Sequence, residues 1–316
     1  MARLIARGRN VVDPTLLLAS LMVASTPILL AAIGELVVEK AGVLNLGVEG
    51  MMIIGAICGF AVAVETGNPV YGFVGAAVGG AALSLVFALL TQILLANQVA
   101  TGLALTLFGL GLSALIGQSY SGVRPPPTSD IDFGPLADIP FVGPVLFSHD
   151  WVVYFSLGLV AAVWFVLNRT RTGMILRAVG ENHDAAHALG YKVVLTRIMA
   201  IAFGGACAGL GGAYLSLVRV PQWTEGMTSG AGWIALAIVV FAAWKPERVL
   251  LGAYLFGGIT VLQLNLQAAG VKIPVEYLSM SPYLITILVL VIMSADRARA
   301  ALNAPASLGR PFHAAG

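Results

Sequence analysis

The sequence predicts an all-α, polytopic membrane helix bundle, on three observations. Of 316 residues, 59% are apolar and only 10% are charged, against roughly 25% charged in an average soluble domain. So few charges cannot dress a surface that faces water, and the mean hydropathy is +0.92. The apolar residues also gather into nine stretches near the length of about 20 residues that a helix needs to cross about 30 Å of hydrocarbon. Finally, no stretch alternates as the strands of a membrane barrel do.

In chain order the expected spans are 15–34, 43–64, 70–95, 99–118, 151–168, 198–218, 226–244, 249–268 and 277–295. The first is too long and too clean for the apolar region of a signal peptide, and no convincing cleavage site follows it. The second is the one span with a charged residue, Glu49. The third is longer than one perpendicular crossing, so it tilts or the Asn97-Gln98 break lies below the membrane surface. Residues 119–150, with Pro125-Pro126-Pro127, read as an ordered cover or an irregular loop. The chain thus divides into an N-terminal tail (1–14), a transmembrane domain (15–295) and a C-terminal tail (296–316).

Loop charge orients the bundle. Residues 169–197 hold Arg169, Arg171, Arg177, Lys192 and Arg197, whereas 119–150 hold Arg124 and four aspartates. The first loop is expected to be cytoplasmic, with the C-terminal tail, and the second external. Counting back places the N-terminus outside, against the preference of Arg3, Arg7 and Arg9. The alternative is that 35–50 is re-entrant and the N-terminus inside. The 37 glycines include the pairs Gly55/Gly59, Gly75/Gly79, Gly205/Gly209 and Gly226/Gly230, which read as close helix contacts.

Three places could carry function. In the run Glu35 to Gly50, Gly42, Gly47 and Gly50 are expected to break the helix, and Asn45 and Glu49 would share a face of one turn. A carboxylate this close to the membrane interior usually faces a cavity or a partner, and discontinuous helices expose backbone to a solute. Asn45 and Glu49 therefore either line a solute path or sit in an interfacial loop, with Glu49 held by Lys40 or backbone amides. Asn97 and Gln98 are weaker path candidates, or a plain turn. The third place is a short helix within 177–190. Asn182 caps it, Asp184 suits its first turn, Gly190 suits the position after its end, and Ala185, Ala186, Ala188 and Leu189 offer a small apolar surface for docking into another protein.

Other chemistry finds little support. His183 and His187 are four apart, but no third histidine completes a metal site. No phosphate-binding loop, G-x-S-x-G or H-E-x-x-H motif occurs, and the spans contain no histidine. No catalytic residue and no cofactor are expected. A net charge of +2 is too small for a nucleic-acid binder. Cys58 and Cys207 read as small buried apolar residues.

The run Glu39-Lys-Ala-Gly42-Val-Leu-Asn45-Leu-Gly47-Val-Glu49-Gly50 closely resembles the signature of inner-membrane permeases of bacterial ABC importers. Similar too are Asn97-Gln98-Val-Ala-Thr-Gly102, the 180–190 segment, Gly232-Trp233-Ile-Ala-Leu-Ala, Leu262-Gln263-Leu-Asn-Leu-Gln267 and Ser281-Pro282-Tyr283. Asp184-Ala185-Ala186-x-x-x-Gly190 half matches the coupling motif EAA-x-x-x-G, with Asp for Glu and without its usual ending. The resemblance covers about residues 15–295 and is greatest to the shorter permease of the nucleoside branch, related to simple-sugar and branched-chain amino acid permeases. It implies a type II importer fold of about nine spans here and a coupling loop at 169–197. Glu181, Asp184, Ala185, Ala186, Leu189 and Gly190 would face a separate cytoplasmic ATPase. It also implies an extracytoplasmic solute-binding protein, a second, paralogous permease and a lipid-embedded place in the bacterial inner membrane. The expected function is ATP-driven import of a small polar solute, foremost nucleosides. Sugars or branched-chain amino acids are the alternatives within the family, and an ATPase-independent channel or carrier is the alternative outside it.

Overall fold

The computed structural model describes residues 14–268 and 304–313, with scattered positions between 274 and 291. The N-terminal tail before Pro14 and most of the expected span 277–295 lie outside the described residues. Among the described residues there is no strand, only an isolated bridge between Asp130 and Asp150.

The helices are α1 (Pro14–Lys40), α2 (Val48–Thr66), α3 (Pro69–Ala88), α4 (Gln98–Gly117), α5 (Val142–Leu146), α6 (Trp151–Arg169), α7 (Arg171–Glu181), α8 (His183–Ala188), α9 (Val193–Tyr214), α10 (Ala231–Phe241) and α11 (Pro246–Ala268). Wider π-type turns, Leu89–Ile93 and Leu215–Arg219, extend α3 and α9. Among the described residues, seven helical segments are long and apolar enough to cross a membrane, in α1, α2, α3, α4, α6, α9 and α11.

Local chemistry sets the boundaries. Asn68, Asn97, Asp150, Thr170 and Asn182 each accept a backbone N–H of the helix that follows, starting α3, α4, α6, α7 and α8. α1 begins at Pro14 and contains Pro27, just after Ser25 and Thr26, whose hydroxyls donate to the carbonyls of Leu21 and Met22. It continues beyond the expected end at residue 34, carrying Glu35, Glu39 and Lys40 within the helix.

α9 lies against α1, α2 and α3. A Cβ on Gly55 would lie 2.6 Å from the Gly209 carbonyl oxygen, and one on Gly80 would lie 2.9 Å from the Gly209 Cα. The backbones of α2, α3 and α9 therefore touch, the usual role of small residues between membrane helices. Gly226 and Gly230 differ from the expected helix-contact pair. Both stand outside a helix, with φ of +66° and +84°.

The expected span 226–244 is corrected by the structure. Its helix is α10 alone, 11 residues or about 16 Å, half of a hydrocarbon crossing. Gly226 and Gly230, both in left-handed conformations, keep the preceding residues out of the helix. α10 starts beside Pro27 and Ile28, midway along α1. It ends near the foot of α1, where Trp244 Nε1 donates to the Glu39 carboxylate.

The two large polar segments sit at opposite ends of α9. Residues 170–192 adjoin its start. At its far end, Tyr214 donates to the carboxylate of Asp150, which closes the 119–150 segment, at 2.7 Å.

Candidate functional site

The connection between α1 and α2 is a helix break of seven residues, 41–47. Gly42 turns it with φ of +83°, and Gly47 directly precedes α2. Gly50 is not part of the break but the third residue of α2. A Cβ there would come within 2.7 Å of the Leu105 carbonyl oxygen, so Gly50 serves the contact with α4.

Asn45 lies in the irregular backbone rather than on a turn shared with Glu49, and it is fully buried. Its Oδ1 accepts from the Gly47 N–H at 3.0 Å, and its Nδ2 donates to Glu35 at 3.4 Å. Gln98 reaches across from α4 and accepts from the Leu44 N–H at 2.8 Å, while the Thr106 hydroxyl donates to the Leu46 carbonyl. Buried irregular backbone persists where protein groups satisfy its N–H and C=O groups, and these side chains do so. Asn97 stands apart, exposed and capping α4 through the Ala100 N–H at 3.0 Å.

Glu49 projects from the start of α2 to the start of α10. Its carboxylate accepts from the Thr228 hydroxyl at 2.6 Å, the Gly230 N–H at 2.8 Å and the Gly232 N–H at 2.7 Å. These amides are among those a helix N-terminus leaves without an intrahelical partner, and a negative group is favoured there. Glu49 thus pairs with α10 and not with Lys40. It is 3% exposed.

Beside this junction lies a cavity of about 810 Å³ between α1, the end of α9, the 220–230 segment, α10 and α11. Arg219, Glu225, Thr228, Thr260, Gln263 and Phe256 contribute to its wall. The structure brings Asn45, Glu49 and Gln98 together at the break and leaves Asn97 outside. Of the polar wall residues only Gln263 is marked by the sequence, as part of a family-like motif; Arg219, Glu225, Thr228 and Thr260 carry no local signal. The aromatic side chains of Phe60 and Trp223 are both buried, away from the cavity wall. Phe60 packs edge-on to Tyr120, and Trp223 packs at Gly117.

The third place is a helix as expected, α8, preceded by a second short helix, α7. Tyr191 N–H bonds the Ala186 carbonyl and Gly190 N–H the His187 carbonyl, with Gly190 at φ +85°, a Schellman ending. Glu181, Asp184, Ala185, Leu189 and Gly190 are exposed, and Leu189 is 76% accessible. Ala186 departs from the expected docking face: it turns inward against Val179, Val193 and Phe312. His183 and His187 flank the Phe312 ring. Burial, then the adjacent Arg197 guanidinium, holds the His183 imidazole below its ordinary value, against the opposing pull of Asp184.

The family model described as the permease component of branched-chain amino acid transport systems matches residues 17–293. The chain belongs to this family. TsgC13 of Haloferax volcanii, provisionally named a glucose ABC transporter permease protein, is 43% identical over 297 residues, 87% of this permease and 90% of that protein. The guanosine ABC transporter permease protein NupQ of Bacillus subtilis is 32% identical, covering 87% of this permease and 91% of its own length. The nucleoside ABC transporter permease protein NupC of Lactococcus lactis is also 32% identical, with 89% and 93% covered. This permease is a type II importer-family membrane protein, multi-pass and of the bacterial inner membrane.

Proposed function

We propose that this permease is the membrane subunit of an ATP-driven importer for an uncharged, hydroxyl-bearing solute, with nucleosides first and simple sugars second. The observation that carries this reading is the half-helix α10, which begins midway along the bundle at the wall of the 810 Å³ cavity. Half-helices ending inside a bundle recur where transporters hold solutes. Threonine, glutamine and arginine side chains on the cavity wall supply donors and acceptors for hydroxyls and base edges. Asn45, Glu49 and Gln98 build this path by fixing the break and orienting α10, and Asn97 anchors α4 beside it. The names of the nucleoside and glucose relatives favour the same solutes.

In this reading ATP is hydrolysed on a separate cytoplasmic ATPase, docked on the exposed face of α8. An extracytoplasmic binding protein delivers solute, and a second, paralogous permease completes the path. The test is uptake into proteoliposomes holding this permease, its ATPase and a paired permease, with binding protein added. ATP-dependent uptake of labelled guanosine, competed by other nucleosides, is the expected result. Uptake without the ATPase would overturn the ABC assignment, and ATP-driven uptake of leucine in place of nucleosides and glucose would overturn the solute class.

A further inference from the structure

Residues 304–313 lie in the angle between α8 and the helix break. The Ser307 N–H donates to the Gly180 carbonyl at 2.9 Å. Its hydroxyl accepts from the His183 N–H at 3.4 Å and donates to the Glu181 carbonyl at 3.3 Å. Two residues on, the Gly309 N–H donates to the carbonyl of Gly42, the turn that opens the break, at 3.2 Å. Phe312, 6% exposed, is held between His183 and His187, with ring centroids at 5.4 and 5.3 Å in edge-on geometry.

Arg197 lies beneath the same angle and is fully buried. Its guanidinium donates to the Ala41 carbonyl at 3.1 Å, the Arg310 carbonyl at 3.0 Å, Gln92 Oε1 at 3.5 Å and His183 Nδ1 at 3.2 Å. All four acceptors are neutral, and they come from the break, the C-terminal segment, the turn after α3 and α8. A planar group with five fixed donors suits such a bridge.

We propose that residues 304–313, seated by Phe312 and pinned by Arg197, form the strap that passes motion of α8 to the helix break and so to Glu49 and α10. The inference rests on the reading of α8 as the ATPase-facing helix. The backbone runs from α8 into α9 and from α6 into α7, so it joins α8 to residues 41–47 only by long detours. Within the described residues the strap and Arg197 supply a short side-chain route, beside the backbone contact of Gly180, at the end of α7, with Lys40 and Gly42. Phe312, Ser307 and Arg197 are positioning residues that never meet the solute. The strap also accounts for the histidine pair, whose rings clamp Phe312.

The test compares solute imported per ATP hydrolysed in proteoliposomes of the complete importer. Phe312→Ala should lower this ratio by roughly fivefold, the order expected when two edge-to-face ring contacts are lost, while the ATPase still co-purifies and hydrolyses ATP. Phe312→Tyr, which keeps the ring, should restore most of it, and Ser307→Ala should lower it less than Phe312→Ala does. A Phe312→Ala complex with the wild-type ratio, or one that no longer holds the ATPase, would overturn the proposal. ATP-independent uptake by the wild type would instead defeat the importer reading itself, and the wild type alone reveals it.

Discussion

A carboxylate inside an apolar bundle is costly unless its oxygens find donors, and Glu49 fills both of its own with three donors. The amide of Glu49→Gln would set an NH2 against one of those donors, and Glu49→Ala would leave all three without an acceptor. Losing hydrogen bonds to a buried charged group costs about 2 kcal/mol or more. Both variants should therefore melt several degrees below wild type in detergent, Glu49→Ala the lower; unchanged melting would remove Glu49 from its structural role. Sequence singles out Glu49 because it is the one charged residue within the expected spans. Its partners Thr228, Gly230 and Gly232 lie about 180 residues away, and no local pattern connects them. For the same reason Asn45 and Gln98 are recognisable as polar groups near apolar sequence, but their task of satisfying backbone is not.

Elements are legible where their signals are local. The ends of α8 follow from Asn182 and Gly190, and the long spans follow from apolar length. α10 is misread as a crossing because a hydropathy window cannot tell a half-helix from a full one. The clue was the pair Gly226 and Gly230 astride Thr228, read as helix packing when both residues bend an irregular lead-in. α8 also carries a pH dependence. His183 faces Arg197 from α9, Asp184 from its own helix, and Arg310 and Phe312 from the strap. Its folded pKa is depressed, so the neutral ring is favoured in the folded state. The stability it contributes is present above the ordinary histidine value and is lost as pH falls through the lower folded value. Acidification from pH 8 to about 5.5 should lower the melting temperature of the wild type more than that of His183→Gln. Parallel curves would show that this histidine does not govern the contact.

At the scale of the whole molecule, loop charge sets residues 119–150 against 169–197; the structure puts 119–150 and 169–192 at opposite ends of α9, with Arg197 not in the loop but buried within that helix. α9 separates them by 22 residues, about 33 Å. Single cysteines at the exposed positions Ser129 and Lys192, in a background without Cys58 and Cys207, should react with an impermeant thiol reagent from opposite sides of the membrane, Ser129 from outside. Labelling of both from one side would overturn this topology. The docking of residues 304–313 onto α8 was not legible, because the C-terminal tail has neither periodicity nor a motif and its partners are mostly backbone groups.

The junction of Glu49 with α10 also dictates an order of assembly during synthesis. Chains are made N-terminal end first, so α2 and its waiting carboxylate are already in the bilayer when α10 leaves the ribosome. Eleven residues cannot settle across a membrane unaided, and the amides that open them would be stranded in lipid without an acceptor. α10 can therefore take its place only as a guest of helices inserted before it. A circularly permuted gene that encoded α10 ahead of α2 would present the donors before the acceptor exists. Such a chain should stall at insertion and be cleared by proteolysis, although every contact of the finished molecule remains encoded in it.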